Sequence, residues 1–109
     1  MAANFIDVVS IDDLNEIFAA SANEPVVLFK HSSTCGISAD LYDQMQRVDG
    51  DIYLIVVQDA RDVSDAIADR TGIRHQSPQA FVIRDGKAVY HGSHYGIDTG
   101  QIDAARSRS

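Results

Sequence analysis

The sequence has very little cysteine, and that scarcity excludes several classes of protein. Its 109 residues include one cysteine, two prolines and no tryptophan. A single cysteine cannot form an intramolecular disulfide, so a disulfide-stabilised scaffold is excluded. A chain of this length can instead bury roughly two-thirds of its unfolded surface in one core. We therefore expect one domain over residues 1–109, with a free thiol of the kind found in reducing compartments.

Positive charge and long hydrophobic runs are also scarce. Nine Lys and Arg residues against sixteen Asp and Glu residues leave a net charge of −7. Nucleic acid and anionic lipid surfaces are bound mainly through Lys and Arg, so neither is an expected partner. No apolar run approaches the ~20 residues of a membrane span, and the first residues do not resemble a secretion signal. The sequence predicts a cytoplasmic protein, with a monomer as the default state.

Hydrophobic periodicity predicts helices and strands that alternate along the chain. Three segments have apolar residues at helical spacing and predict helices over residues 11–20, 36–48 and 62–70. Four apolar runs predict strands over residues 26–29, 52–57, 80–83 and 88–90, the last two joined in a hairpin by Asp85-Gly86. The chain ends are compatible with a strand at 5–9 and a short helix at 97–105. We expect an α/β fold, a mixed sheet with helices on both faces, and a flexible tail over about residues 104–109.

Cys35 follows the first predicted buried strand and stands at the start of the second predicted helix. Free N–H groups and the helix dipole favour negative charge there, and the thiolate is the nucleophilic form of cysteine. Its flanking residues are polar or small, which favours a reactive thiol over a buried inert one. Ser38, one helical turn on, occupies the place of the second cysteine in a Cys-x-x-Cys site. Its hydroxyl either donates a hydrogen bond to the thiolate or is an ordinary polar group.

Three basic residues are candidates for tuning this thiolate: Lys30, His31 and His75. A cation beside a cysteine stabilises its ionised form. Lys30 directly follows the apolar strand, where a solvated side chain is the default expectation. The four histidines of the chain, which also include His91 and His94, match no zinc-ligand spacing, so we expect no metal site.

The segment FKHSSTCGIS, from Phe29 to Ser38, resembles the active-site segment of the monothiol bacilliredoxins, the YtxJ-like proteins of the thioredoxin superfamily. Two later segments, HQSPQ at residues 75–79 and SHYGI at residues 93–97, are similar to later motifs of that family. The three segments occur in the family's order, and the resemblance covers nearly the whole chain. Family members often have proline after the cysteine, where this chain has Gly36.

The resemblance implies a thioredoxin-like fold and a site around Cys35. It implies that Pro78 is a cis proline facing the cysteine, and that the backbone of Ser77 pairs with an extended substrate. The substrate-binding residues that we expect are Thr34, Gly36, Ile37, Ser38, Ser77 and Pro78. The implied activity removes a low-molecular-weight thiol, bacillithiol in this family, from protein mixed disulfides. The partners would be S-thiolated proteins and the small thiol as co-substrate, with no bound cofactor.

Two other functions stay open from the sequence. The tetrapeptide CGIS at residues 35–38 is also similar to the CGFS signature of monothiol glutaredoxins, which hold a [2Fe–2S] cluster between two subunits. Ile37 replaces the phenylalanine of that signature, and the late glycine pair that binds glutathione in that family is not evident. The third hypothesis is a non-catalytic module that senses or binds thiols.

Overall fold

A computed structural model of the protein describes residues 3–107. Its five strands are β1 (Ala3–Asp7), β2 (Val26–His31), β3 (Gly50–Val56), β4 (Gln79–Arg84) and β5 (Lys87–Ser93). Its four α-helices are α1 (Ile11–Ala20), α2 (Gly36–Met45), α3 (Arg61–Thr71) and α4 (Thr99–Ser107). A short 3₁₀ helix, His94–Gly96, connects β5 to α4.

The strands form one mixed sheet in the order β1-β3-β2-β4-β5. The β1–β3 and β2–β3 pairs are parallel, whereas the β2–β4 and β4–β5 pairs are antiparallel. Asp85 and Gly86 both have positive φ, 52° and 73°, as a tight hairpin turn requires. The predicted α/β architecture, a mixed sheet with helices on both faces, is therefore confirmed.

Each face of the sheet carries its own hydrophobic core. One core packs α1 and α3 against the sheet and includes Leu14, Val63 and Leu28. The other packs α2 and α4 against the opposite face and includes Leu41 and Ile102. Strand β2 is buried between the two layers, which explains why its apolar run is unbroken rather than alternating.

The alternation of side chains along β2 decides which layer each of its residues meets. Successive side chains of a strand point to opposite faces. Phe29 belongs to the core under α2 and α4, whereas Leu28 belongs to the core under α1 and α3. Lys30 and His31, at the end of β2, consequently point to different faces of the sheet. This placement matters because both residues are candidates for tuning Cys35.

Several predicted boundaries differ from the structure. Helix α2 ends at Met45 rather than residue 48, although Val48 is fully buried in the same core. The predicted strand at 5–9 is β1, which lies two residues earlier. Helix α4 continues through Ser107 because its apolar face, with Ala105 buried, still packs against the sheet. Residues 104–107 are thus helical where the sequence analysis expected the start of a flexible tail, and residues 108–109 lie outside the described residues.

Residues 3–107 contain neither a candidate membrane-spanning helix nor a candidate metal centre. Between residues 3 and 107 there is no helix with the length and apolar character needed to cross a bilayer. Over the same residues no three His, Cys, Asp or Glu side chains converge as metal ligands would.

Candidate functional site

Cys35 is the N-cap residue of α2. Its backbone is extended, with φ −107° and ψ 124°, and Gly36 is the first helical residue. The side chain of an N-cap residue normally accepts hydrogen bonds from the second and third N–H groups of the helix, here those of Ile37 and Ser38. No side chain among residues 3–107 caps these groups. The half-buried Cys35 thiol therefore stands beside the free donors and positive dipole end that favour a thiolate.

Ser38 holds the turn before Cys35 against the helix that follows it. Its fully buried hydroxyl oxygen accepts the N–H of Ser32 at 2.9 Å and lies 2.8 Å from Nδ1 of His31. Burial lowers the pKa of His31 from its ordinary value, and a hydrogen bond to the backbone of Ser38 raises it by a smaller amount. The described hydrogen bonds of Ser38 thus go to His31 and Ser32, and not to Cys35.

Gln58, which the sequence analysis did not identify, holds the same turn from the opposite side. Its amide oxygen accepts the N–H of Ser33 at 3.2 Å. Its amide nitrogen donates to the hydroxyl of Ser32 at 2.8 Å and to that of Thr34 at 3.2 Å. The sequence did contain a signal for Gln58. This residue follows β3, which is parallel to β2, and the carboxyl ends of parallel strands lie at the same sheet edge.

The loop before β4 contains the proline that the family resemblance singled out. The Ser77–Pro78 peptide bond is cis, which confirms that part of the prediction. The buried side chain of Gln79 fixes the loop, accepting the N–H of Gln76 at 3.3 Å and donating to the carbonyl of Arg74 at 3.0 Å. Ser77 is half-buried, so its backbone is not sealed inside the protein.

The 3₁₀ helix connects the Pro78 loop to α2. The N–H of His94 donates to the carbonyl of Pro78 at 2.9 Å. The neighbouring Tyr95, 62% exposed, donates its hydroxyl to Asp40 of α2 at 2.8 Å. The hydrogen bond to Asp40 raises the pKa of Tyr95, and the negative charge of Cys35 adds to that rise. Tyr95 and Asp40 therefore lie close to the cysteine, and neither was predicted.

The sequence led us to expect a solvated Lys30 side chain, and this expectation is wrong. It is fully buried, and Nζ donates to the carbonyl of Ser64 at 3.0 Å and to Nδ1 of His75 at 3.1 Å. Burial lowers the pKa of Lys30 to about 8, and the nearby charge of Asp65 opposes that shift. The lysine is buried because its strand position points it under α3, where backbone and imidazole acceptors satisfy its ammonium group.

The three candidate tuning residues therefore fall into two groups. His31 lies on the α2 face of the sheet and is linked to the helix of Cys35 through Ser38. Lys30 and His75 pair with each other on the α3 face. Of the expected contact residues, Thr34 is tied to Gln58, Ile37 packs partly into the α2 core, and Gly36 has open space where a Cβ would be.

The sequence matches the family model described as monothiol bacilliredoxin BrxC over residues 6–102. The chain belongs to the monothiol bacilliredoxin family. A solved structure described as that of a proposed oxidoreductase with a thioredoxin fold is similar to this bacilliredoxin, with 38% identity and a TM-score of 0.83. The match covers 93% of this chain and 92% of that one.

Two thioredoxins show the same fold at low identity. The thioredoxin of Trypanosoma brucei brucei is 16% identical, with a TM-score of 0.71 over 93% of the bacilliredoxin and 86% of its own chain. A thioredoxin of Nicotiana alata is 18% identical, with a TM-score of 0.70 over 96% and 91% of the two chains. The protein thus has a thioredoxin fold, and its family and fold support a thiol oxidoreductase.

Proposed function

We propose that this bacilliredoxin is a monothiol oxidoreductase that removes a low-molecular-weight thiol, bacillithiol by family, from protein mixed disulfides. The observation that carries the proposal is the position of its only cysteine, at the N-cap of α2. The 3₁₀ helix bridges that helix to the cis-proline loop through His94 and Tyr95. The thiol thus stands at a site where a thiolate is favoured and an extended client segment has a loop to lie against.

The proposed exchange has two balanced steps. The Cys35 thiolate attacks the small-thiol sulfur of a protein mixed disulfide, forming a new S–S bond to that thiol. The protein sulfur leaves as a thiolate and takes up a proton from water. The thiolate of a second small thiol then attacks the sulfur of the small thiol bound to Cys35. The two small thiols leave as their symmetrical disulfide, and the Cys35 thiolate is regenerated. The second small thiol is the reductant: its sulfur is oxidised to the disulfide level as the client cysteine is reduced to a thiol, and the sulfur of the first small thiol stays at the disulfide level throughout.

The absence of a second cysteine determines how the reaction ends. With one cysteine in 109 residues, no sulfur of the same chain can displace the bound thiol. Release therefore needs an external thiol, and a good leaving group at Cys35 speeds that step. The N–H groups of Ile37 and Ser38 offset charge on the sulfur when it leaves, as they do when it attacks.

The remaining predicted residues form the proposed substrate surface. The backbone of Ser77 would add an extended client segment by strand-type hydrogen bonds, with Pro78 beneath it. Thr34, Gly36 and Ile37 border the sulfur. We propose that the partners are S-thiolated proteins, that the protein acts as a monomer without a bound cofactor, and that it works in the cytoplasm, where free thiols stay reduced.

Intact-mass measurement after exposure to oxidised bacillithiol tests the proposal, with Cys35→Ser as the matched control. We expect one adduct on the wild type, none on the variant, and discharge of the adduct by reduced bacillithiol. An adduct that is never discharged would overturn the oxidoreductase and favour a thiol-sensing module. Visible absorbance of anaerobically purified protein would overturn it in favour of a cluster carrier.

A further inference from the structure

A cavity of about 200 Å³ opens between the start of α3 and the loop that leads to Pro78. It is separate from the Cys35 turn but shares Gln58 with it, and nothing in the proposed exchange uses it. The residues that line it are Val57, Gln58, Arg61, Ser64, Asp65 and His75. The chain has a net charge of −7, yet the lining of this cavity contains an arginine and an imidazole that lie above a buried lysine.

The buried lysine determines which nitrogen of His75 carries a proton. The ammonium group of Lys30 has only donors, so Nδ1 of His75, 3.1 Å away, must accept. The hydroxyl of Ser64 lies 3.0 Å from the same nitrogen. Burial, and then the charge of Lys30, lower the pKa of His75, and the charge of Asp65 opposes them. The proton of the ring is therefore on Nε2, and the exposed ring offers that N–H to an incoming acceptor.

The guanidinium group of Arg61 is the second donor at this cavity. Arg61 is the first residue of α3, is exposed, and makes no hydrogen bond or ion pair with any residue in the range 3–107. One carboxylate, that of Asp65, lines the same cavity, and its charge acts on Lys30 and His75 beneath. The Lys30 ammonium and the Arg61 guanidinium carry two positive charges against the one negative charge of Asp65. The cavity can therefore accept one further negative charge.

The cavity is within reach of a small molecule attached to Cys35. Gln58 Nε2 lies 3.2 Å from the hydroxyl of Thr34, the residue that adjoins Cys35. Adding the Thr34 side chain and one Cα–Cα step places the Cα of Cys35 within roughly 10 Å of this amide. A compound of two or three residues' length spans about 7 to 10 Å, so it could join the sulfur to the cavity.

We propose that this cavity binds a carboxylate on the thiol group that exchanges with Cys35, through the Arg61 guanidinium and the Nε2–H of His75. Guanidinium groups bind carboxylates with two parallel hydrogen bonds, which fixes the orientation of the bound molecule. The inference rests on the proposed function and adds a specificity-determining residue to it. The carboxylate belongs either to the small thiol or to an acidic side chain beside the client cysteine.

The test compares two small disulfides on the full chain, the dicarboxylate disulfide of N-acetyl-Cys-Gly, whose carboxylate lies about two residues' length from the sulfur, and the neutral disulfide of its C-terminal amide. In Arg61→Gln, we expect the rate of Cys35 adduct formation with the dicarboxylate to fall about tenfold relative to the neutral disulfide. Tenfold corresponds to about 1.4 kcal/mol, near the lower end for hydrogen bonds to charged groups. Arg47→Gln, which removes the same charge beyond the far end of α2, should leave the ratio unchanged.

The possible results distinguish a failure of the carboxylate site from a failure of the proposed oxidoreductase function. If the wild type reacts with both disulfides and Arg61→Gln keeps the wild-type ratio, the carboxylate site is wrong and the oxidoreductase stands. If Cys35 reacts with neither disulfide, both proposals fail. An equal fall of this rate ratio in Arg47→Gln would show that net charge alone causes the effect, and would overturn the carboxylate site.

A second pair of substrates distinguishes the two sources of the carboxylate. One is a neutral peptide disulfide with N-acetyl-Cys-Gly, and the other is a peptide disulfide with the C-terminal amide of that thiol, in which an acidic residue adjoins the client cysteine. A loss in Arg61→Gln confined to the first assigns the site to the small thiol. A loss confined to the second assigns it to the client, and no loss with either would contradict the proposal.

Discussion

Cys35 depends on side chains that hold the three residues before it. Ser38 fixes Ser32 from within α2, and Gln58 binds all three residues of the turn from the end of β3. The cysteine itself therefore needs no capping bond to keep its place. The reactive cysteine is thus positioned by neighbouring side chains that take no part in the redox reaction themselves.

Gln58→Met tests the contribution of that turn to reactivity. Methionine has a similar shape but loses the three hydrogen bonds to Ser32, Ser33 and Thr34, worth about 1 kcal/mol in net effect at an exposed site. We expect thiol–disulfide exchange at Cys35 to slow about fivefold. The amide proton of Ser33 should also exchange faster with solvent, which can be followed by NMR.

Gln58→Glu is the matched control for shape and hydrogen bonding. The hydroxyls of Ser32 and Thr34 can donate to its carboxylate, so the turn should stay ordered and the Ser33 amide should stay protected. The added negative charge should still disfavour the nearby thiolate. Wild-type exchange rates in Gln58→Met would contradict a positioning role for Gln58.

At the scale of elements, the start of α2 combines a free cysteine with an unusual first residue. Most of the features that favour proline at a helix start are present. Cys35 has φ −107° and ψ 124°, within the region preferred before proline, and Gly36 is the first helical residue. Apart from its two chain neighbours and the nearby backbone of α2, no described heavy atom lies within 4 Å of where a Cβ of residue 36 would be.

Gly36→Pro should therefore stabilise the protein. Proline removes conformational freedom from the unfolded chain, and at a compatible position this raises the free energy of unfolding by about 0.4–1 kcal/mol. For a domain of this size the melting temperature should rise by roughly 2–6 °C, measured by calorimetry. Gly36→Ala should give a smaller rise, and a fall in Gly36→Pro would show that the helix start needs glycine.

At the scale of the whole molecule, the two cores differ in their polar content. The buried polar residue of α2, Ser38, is uncharged, whereas the layer under α3 contains the Lys30 ammonium beside the apolar cluster. Burying a charge costs free energy even when acceptors are present. The stability of the whole protein should therefore respond to the protonation of this one group.

The pH dependence of unfolding measures that response against Lys30→Met. The folded pKa of Lys30 is about 8, against an ordinary value of 10.5. Between these values the unfolded chain binds a proton that the folded chain does not, so folding stability rises with pH. Relative to Lys30→Met, the free energy of unfolding of the wild type should rise from pH 8 toward 10.5, with a slope of up to about 1.4 kcal/mol per pH unit. Denaturant titrations that show a constant difference over this range would contradict a lowered pKa.

The sequence alone determined the elements and the place of the cysteine between them. Apolar periodicity predicted the main helices and strands, and Asp85-Gly86 predicted the hairpin. Gly72, just past the end of α3, has the left-handed φ of 70° that glycine typically adopts there. These signals are local, because residues within one turn or one strand set them. The segments around Cys35 and Pro78 likewise identified the family before any contact was known.

Only the tertiary structure decided what surrounds the site. Lys30 is buried under α3, Gln58 binds a turn 24 to 26 residues away, and Tyr95 bonds to Asp40 across 55 residues. Such contacts depend on how the strands are ordered and which face each helix covers. The order β1-β3-β2-β4-β5 is a property of the packed sheet that no local pattern specifies, and it brings these residues to the edge where Cys35 lies.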